Sequence, residues 1–210
     1  MKKSIALVMM AVLLVAASVM GTLAYLTSKD SVTNTFTVGK VKITLDEAKV
    51  NEYGEADTSA SRVKESTYKL MPGHTYIKDP TVTVKAGSEK SYVRLLVTIN
   101  KAAELKEVFG DSFLPQNYVT GWDSTAWPCV KTTPNDDNTV TYEFRYKDVV
   151  SAGAEDVKLD ALFDSFSVPG ENMSADKLEK LNGLKITVVA HAIQADGSDT
   201  ADAAWAKFGN

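Results

Sequence analysis

The chain has 210 residues, of which 44% are hydrophobic and 24% charged, with a formal net charge of −4. That length fits one ordinary domain able to bury a core. The acidic balance argues against a nucleic-acid partner, because phosphate binding needs clustered Lys and Arg.

Lys2 and Lys3 open the chain, and Ile5 to Val19 is then apolar apart from Ser18. Thr22-Leu23-Ala24 ends the run with the small-x-small spacing that a signal peptidase accepts. This pattern predicts a signal peptide over residues 1–24, cut between Ala24 and Tyr25. A membrane anchor needs about 20 apolar residues, so membrane attachment is expected only through the uncleaved signal. Without Lys2 and Lys3 the mature balance is 21 basic against 27 acidic residues.

Residues 25–38 are rich in Thr and Val, which predicts an extended amino-terminal strand. Phe36 and Val38 alternate on one register and Val41, Ile43 and Leu45 on the other. Gly39 stands at the phase change, where a bulge or bend is expected. Residues 39–210 are expected to form a single domain. Within it, Asp46 to Ser66 is polar and reads as a surface loop or weakly ordered insertion.

Pro72-Gly73 marks a turn, and Thr81 to Val84 a short alternating strand. Gly87-Ser88 turns the chain into Tyr92–Ile99, the most continuously apolar strand and the expected centre of a sheet. Asn100 is expected to cap a helix from Lys101 to Phe109, closed by Gly110. Asp111 to Thr133 is irregular and holds Trp122 and Trp127. Asn135 to Asn138 is a strong turn. Val140, Tyr142, Phe144 and Tyr146 then alternate with polar residues, as in a half-exposed strand.

Leu159 to Val168 is ambiguous between helix and strand. Ser174 is expected to cap a short helix from Ala175 to Leu181, stopped by Asn182-Gly183. Leu184–Ile193 is the last strong strand, and Thr200 caps a final helix, Ala201 to Phe208, with Trp205 and Phe208 on its apolar side. Many short strands separated by turn residues predict a mainly-β protein, a β-sandwich with a few short helices in the connections.

Few residues carry recognisable chemistry. The two histidines, His74 and His191, are the weak metal candidates. His74 is expected to be a solvent-exposed turn residue, and His191 a partly buried, hydrogen-bonded one. No HExxH pair, GxSxG elbow or phosphate-binding glycine loop is present. The acidic clusters Asp136-Asp137 and Asp196, Asp199, Asp202 lack calcium-loop spacing. No catalytic residue and no cofactor is therefore assigned. Cys129 is the single cysteine, expected to be a small buried hydrophobe, with an intermolecular disulfide as the alternative.

Several blocks together resemble a known family. Gly21-Thr22-Leu23-Ala24-Tyr25-Leu26-Thr27 followed by Asn34 to Val41 resembles exported Gram-positive proteins with a SipW-dependent signal peptide, the TasA and camelysin (CalY) family. Tyr68-x-Leu70-x-Pro72-Gly73, Asp79 to Val84 and Tyr92-Val93-Arg94 resemble its middle blocks. Ala190 to Gly197 with Ala203-Ala204-Trp205 is similar to its carboxyl-terminal block.

The resemblance implies a jelly-roll-like sandwich, processing by a SipW-type signal peptidase, and a secreted or cell-surface location. It further implies self-association into fibres of a biofilm extracellular matrix, with accessory matrix proteins as further partners. In such fibres the amino-terminal strand of one subunit completes the sheet of its neighbour. Residues 25–38 would be the donor strand, with Tyr25, Leu26, Val32, Phe36 and Val38 as its plugs. Relatives of the camelysin branch imply a second reading, a cell-surface metalloendopeptidase requiring His74 and His191 to meet. A third reading is a monomeric cell-surface module binding carbohydrate through Tyr118, Trp122 and Trp127.

Overall fold

The computed structural model describes residues 39–110 and 117–208. The expected signal peptide, its cleavage site at Ala24 and Tyr25, and the donor-strand plugs Tyr25, Leu26, Val32, Phe36 and Val38 lie outside the described residues. So does the half of the expected bent strand that precedes Gly39. Everything below concerns the compact unit Gly39–Asn210.

In chain order the strands are β1 (Ile43–Asp46), β2 (Thr75–Ile77), β3 (Thr81–Val84), β4 (Ser91–Asn100) and β5 (Val119–Thr120). They continue with β6 (Cys129–Pro134), β7 (Thr139–Arg145), β8 (Val157–Lys158), β9 (Ser165–Ser167) and β10 (Ile186–Gln194). Three short helices lie in the connections: α1 (Ala102–Phe109), α2 (Ala175–Lys180) and α3 (Ala201–Ala206). The strands form antiparallel sheets with orders β1-β3-β8, β10-β4-β7-β6 and β2-β9-β5. The protein is thus mainly β and sandwich-like.

The four-stranded sheet follows from period-two patterning. Along β4, Ser91, Val93, Leu95, Val97 and Ile99 are buried and the residues between them half-buried. On β7, Val140, Tyr142 and Phe144 point the same way. The register stacks like on like: Leu95 lies between Phe144 and Ala190, Val97 between Tyr142 and Val188, and Ile99 between Val140 and Ile186. Cross-strand apolar pairs of this kind are the unit of sheet stabilisation. Val82 and Val84 of β3, together with Trp127 and Leu162, complete a core from which water is excluded. The ambiguous segment 159–168 resolves as extended chain around β9, with Leu159, Leu162, Phe163, Phe166 and Val168 all buried.

Local signals account for most boundaries. At Pro72-Gly73 the His74 amide donates to the Met71 carbonyl at 3.3 Å and Gly73 has φ +71°. Proline then glycine at the two central positions is the type II pattern, and only the glycine tolerates that φ. Ser174 accepts from the Lys177 amide and Thr200 from the Ala203 amide, capping α2 and α3 as expected.

One expectation needs correction. Asn100 does not cap α1. It is still paired in β4, opposite Thr139, and its side chain bonds the Gly183 carbonyl and the Lys185 amide. Lys101 turns the chain in the left-handed region with φ 58° and ψ 41° and makes no side-chain cap. The cap comes instead from Asn138 of the β6–β7 turn, whose Oδ1 accepts from the Ala103 amide at 2.9 Å and whose carbonyl accepts from the Ala102 amide. The polar stretch 46–66 is a surface loop, the first of its two expected readings, and it is tied down at several points. Glu47 and Val63 form a two-bond bridge, and Arg62 ties the loop to the Asp46 and Asp79 carboxylates and the Thr81 hydroxyl.

Candidate strand-accepting groove

Two sheets end close together. Among the described residues, β1 is an edge of one sheet and β10 an edge of another, and each pairs with a strand on one side only. A groove of about 1240 Å³ opens beside them. Leu45 from β1 and Ile186 and Val188 from β10 line it, with Tyr68 and Leu70 from the segment before β2 and Leu178, Leu181 and Leu184 around α2. Leu45, Tyr68, Leu70, Leu184, Ile186 and Val188 pack against the core yet remain only partly buried. Burying such side chains further is favourable by roughly 25 cal/mol per Å² of apolar surface.

An unpaired edge is a ready template for another chain, and proteins usually blunt it. The far edge, β6, is blunted: its register shifts between Cys129 and Lys131, Lys131 is exposed, and Pro134 ends it. β10 carries neither proline nor bulge over nine residues paired regularly with β4. Its Val189 is an exposed large hydrophobe. Of the two edges of the four-stranded sheet, the unblunted one is thus the one beside the groove.

Among the described charged residues that line the groove, Lys78 and Glu47 are the buried ones. Lys78 Nζ donates to Glu47 Oε1 at 2.6 Å, and each side chain is only 10% exposed. Tyr68 stands close by and donates its hydroxyl to the Ile77 carbonyl. Burial, reinforced by the Glu47 charge, pushes the Tyr68 phenol up to about 12, so it remains a neutral donor. The sequence reading passed over this pair. Its signal is faint: a Glu beside a strand end and a Lys just after another, 31 positions apart.

The histidines occupy separate surroundings. His74 is half-buried, not solvent-exposed as expected, because its Nε2 lies 3.1 Å from the Tyr53 carbonyl and its ring packs on Tyr76. His191 is partly buried and hydrogen-bonded, as expected. Its Nδ1 accepts from Arg94 Nε at 3.2 Å and its ring stacks on Phe208. Burial, then the Arg94 charge, lowers its pKa below the ordinary 6.5. The two rings share no partner, and among the described residues no three His, Cys, Asp or Glu side chains gather as a metal-binding group.

Arg94 is the hub that sequence reasoning missed. Its guanidinium lies 4.3 Å from the Trp205 ring and 4.9 Å from that of Phe208, and it pairs with Glu143, which also binds Arg145. Arg145 reaches on to Asp202 of α3. This cluster fastens the last helix to the outer face of β4, β7 and β10.

The aromatic candidates face inward. Trp127 and Tyr118 are buried at 0% and 3% exposure. Trp122 is half-buried, with its indole edge against Phe144 and its Nε1 donating to the Trp127 carbonyl. Trp127 and Tyr118 thus offer no open ring face for sugar stacking, and Trp122 is covered in part. Cys129 is half-buried at the start of β6, not fully buried, and burial raises its thiol pKa, so it stays protonated at neutral pH.

Fold and site together define a mainly-β, sandwich-like domain with a groove of mixed apolar and polar lining beside two sheet edges that are unpaired among the described residues. In comparisons with known proteins, no family model, no curated protein and no solved structure matches the chain.

Proposed function

We propose that this chain is a secreted or cell-surface structural subunit of the TasA and camelysin kind, which assembles into biofilm matrix fibres by donor-strand exchange. The observation that carries the reading is the groove with partly buried apolar side chains bordered by the edges of β1 and β10, which are unpaired among the described residues. An incoming strand supplies backbone hydrogen bonds to an edge and side chains to a groove at once. The stretch 25–38 immediately precedes the compact unit and has the composition of such a strand. Cleavage after Ala24 by a SipW-type peptidase would free it for insertion into a second copy.

The metalloendopeptidase reading has less support, since His74 and His191 engage different neighbours. The sugar-binding reading has less as well, because Trp127 and Tyr118 are core residues. Electron microscopy of the mature protein starting at Tyr25 tests the proposal against a version lacking Tyr25 to Thr33. The proposal expects fibres from the first and a folded monomer from the second. Normal fibres from the truncated chain would refute it.

A further inference from the structure

Apolar and polar side chains together line the groove, and among the described residues its buried charges are the Lys78–Glu47 pair, so a guest must present a polar group at that place. Lys78 Nζ has Glu47 Oε1 as its hydrogen-bond acceptor among the described residues, and both side chains line the groove. An ammonium has three N–H groups and a carboxylate two oxygens. Two donors of Lys78 and Oε2 of Glu47 are therefore left to water or to a guest. An entirely apolar guest face would strip them of water without replacement, which is costly for buried charge.

We infer that the donor strand reads this ion pair with Asn34. The inference rests on the donor-strand reading above and specifies its register. In an extended strand, alternate residues share a face. One face of 25–38 then carries Leu26, Ser28, Asp30, Val32, Asn34, Phe36 and Val38; the other carries Tyr25, Thr27, Lys29, Ser31, Thr33, Thr35 and Thr37. Asn34 is the one polar residue in the segment with an apolar neighbour on both sides of its own face. Its carboxamide donates to a carboxylate and accepts from an ammonium at once, and being neutral it leaves the charge of the pair balanced. Val32 and Phe36, two residues to either side, then meet the apolar walls.

The test compares the mature chain from Tyr25 with Asn34→Leu and Thr35→Val, reading the critical concentration for fibre growth. Neither substitution alters any of the groove residues named above. Leucine has the higher strand propensity, so a loss at position 34 cannot be blamed on propensity. Asn34→Leu is expected to raise the critical concentration about tenfold or more, as for hydrogen bonds to charged groups, and Thr35→Val to change it by less than about twofold. Asn34→Leu fibres growing at the wild-type concentration overturn this inference alone. An intact chain that stays monomeric, or fibres from the chain lacking Tyr25 to Thr33, overturn the donor-strand reading and this inference with it. As a second readout, fibres grown from separately ¹³C- and ¹⁵N-labelled subunits should show an intermolecular solid-state NMR contact between the Asn34 amide and the Glu47 carboxylate. A contact from another donor residue in its place contradicts the register.

Discussion

Arg94 and His191 face each other across the β4–β10 ladder, and the Arg94 Nε–H donates to His191 Nδ1 at 3.2 Å. The bond exists only while His191 is neutral at Nδ1, because a protonated imidazole has no acceptor. The same ring stacks on Phe208, and Arg94 lies over Trp205 and Phe208. The protonation of one half-buried histidine is therefore coupled to the attachment of α3.

The first prediction is a pH dependence. The folded pKa of His191 is lowered from 6.5, by burial and then by Arg94. Between the lowered value and 6.5 the unfolded chain binds more protons, so stability rises with pH there. The His191 contribution is complete above about pH 6.5 and is lost as pH falls through the folded pKa. Thermal unfolding from pH 7.5 down to 5 should show a fall in Tm that His191→Gln reduces. Equal pH dependence in both proteins would contradict this.

The second concerns the buried ion pair. Lys78→Met leaves Glu47 charged and unpaired, and breaking such a pair costs about 3–5 kcal/mol. Replacing both residues, Lys78→Met with Glu47→Leu, should recover most of that loss in urea unfolding. A double variant no more stable than the single one would count against the pairing.

The third concerns Arg62, which joins the loop after β1 to Asp46, Asp79 and Thr81. Arg62→Ala should lower the unfolding free energy by about 2 kcal/mol, as expected for lost charged hydrogen bonds. It should also open the segment between Glu47 and Val63 to limited proteolysis at Lys49. A loop as resistant as in the wild type would show that the Glu47–Val63 bridge suffices.

The fourth concerns the borrowed helix cap. Asn138→Ala removes the acceptor for the Ala103 amide and places alanine at φ 58°. Loss of a cap costs about 1 kcal/mol and a left-handed alanine about 1 more. Asn138→Gly loses the cap without the strain and should be the milder change. A Tm of Asn138→Gly equal to that of the wild type would separate α1 from this turn.

The strands β4, β7 and β10 were legible in the sequence because alternation is a local signal and one face of each meets the core. The caps Ser174 and Thr200 were legible for the same reason, since cap and amide lie three residues apart. Asn100 misled because a good cap residue followed by a helical stretch looks alike whether or not the strand still holds it. The true partner, Asn138, stands 35 residues from the amide it caps. Whether loop 46–66 is ordered stayed open in the sequence, because its order depends on one arginine reaching two carboxylates outside it or at its edge. The groove was the least legible feature. Leu45 and Ile186 read as ordinary strand residues, and only the tertiary arrangement shows that both lie beside unpaired edges.

The central claim is that the groove beside β1 and β10 receives the amino-terminal strand of another copy. A cryo-electron microscopy map of fibres grown from the mature chain tests it most directly. The account predicts continuous density for residues 25–38 of one subunit running through the next subunit's groove, with Asn34 beside Lys78 and Glu47. Fibres in which subunits meet through other surfaces, with the groove holding no strand, would contradict it.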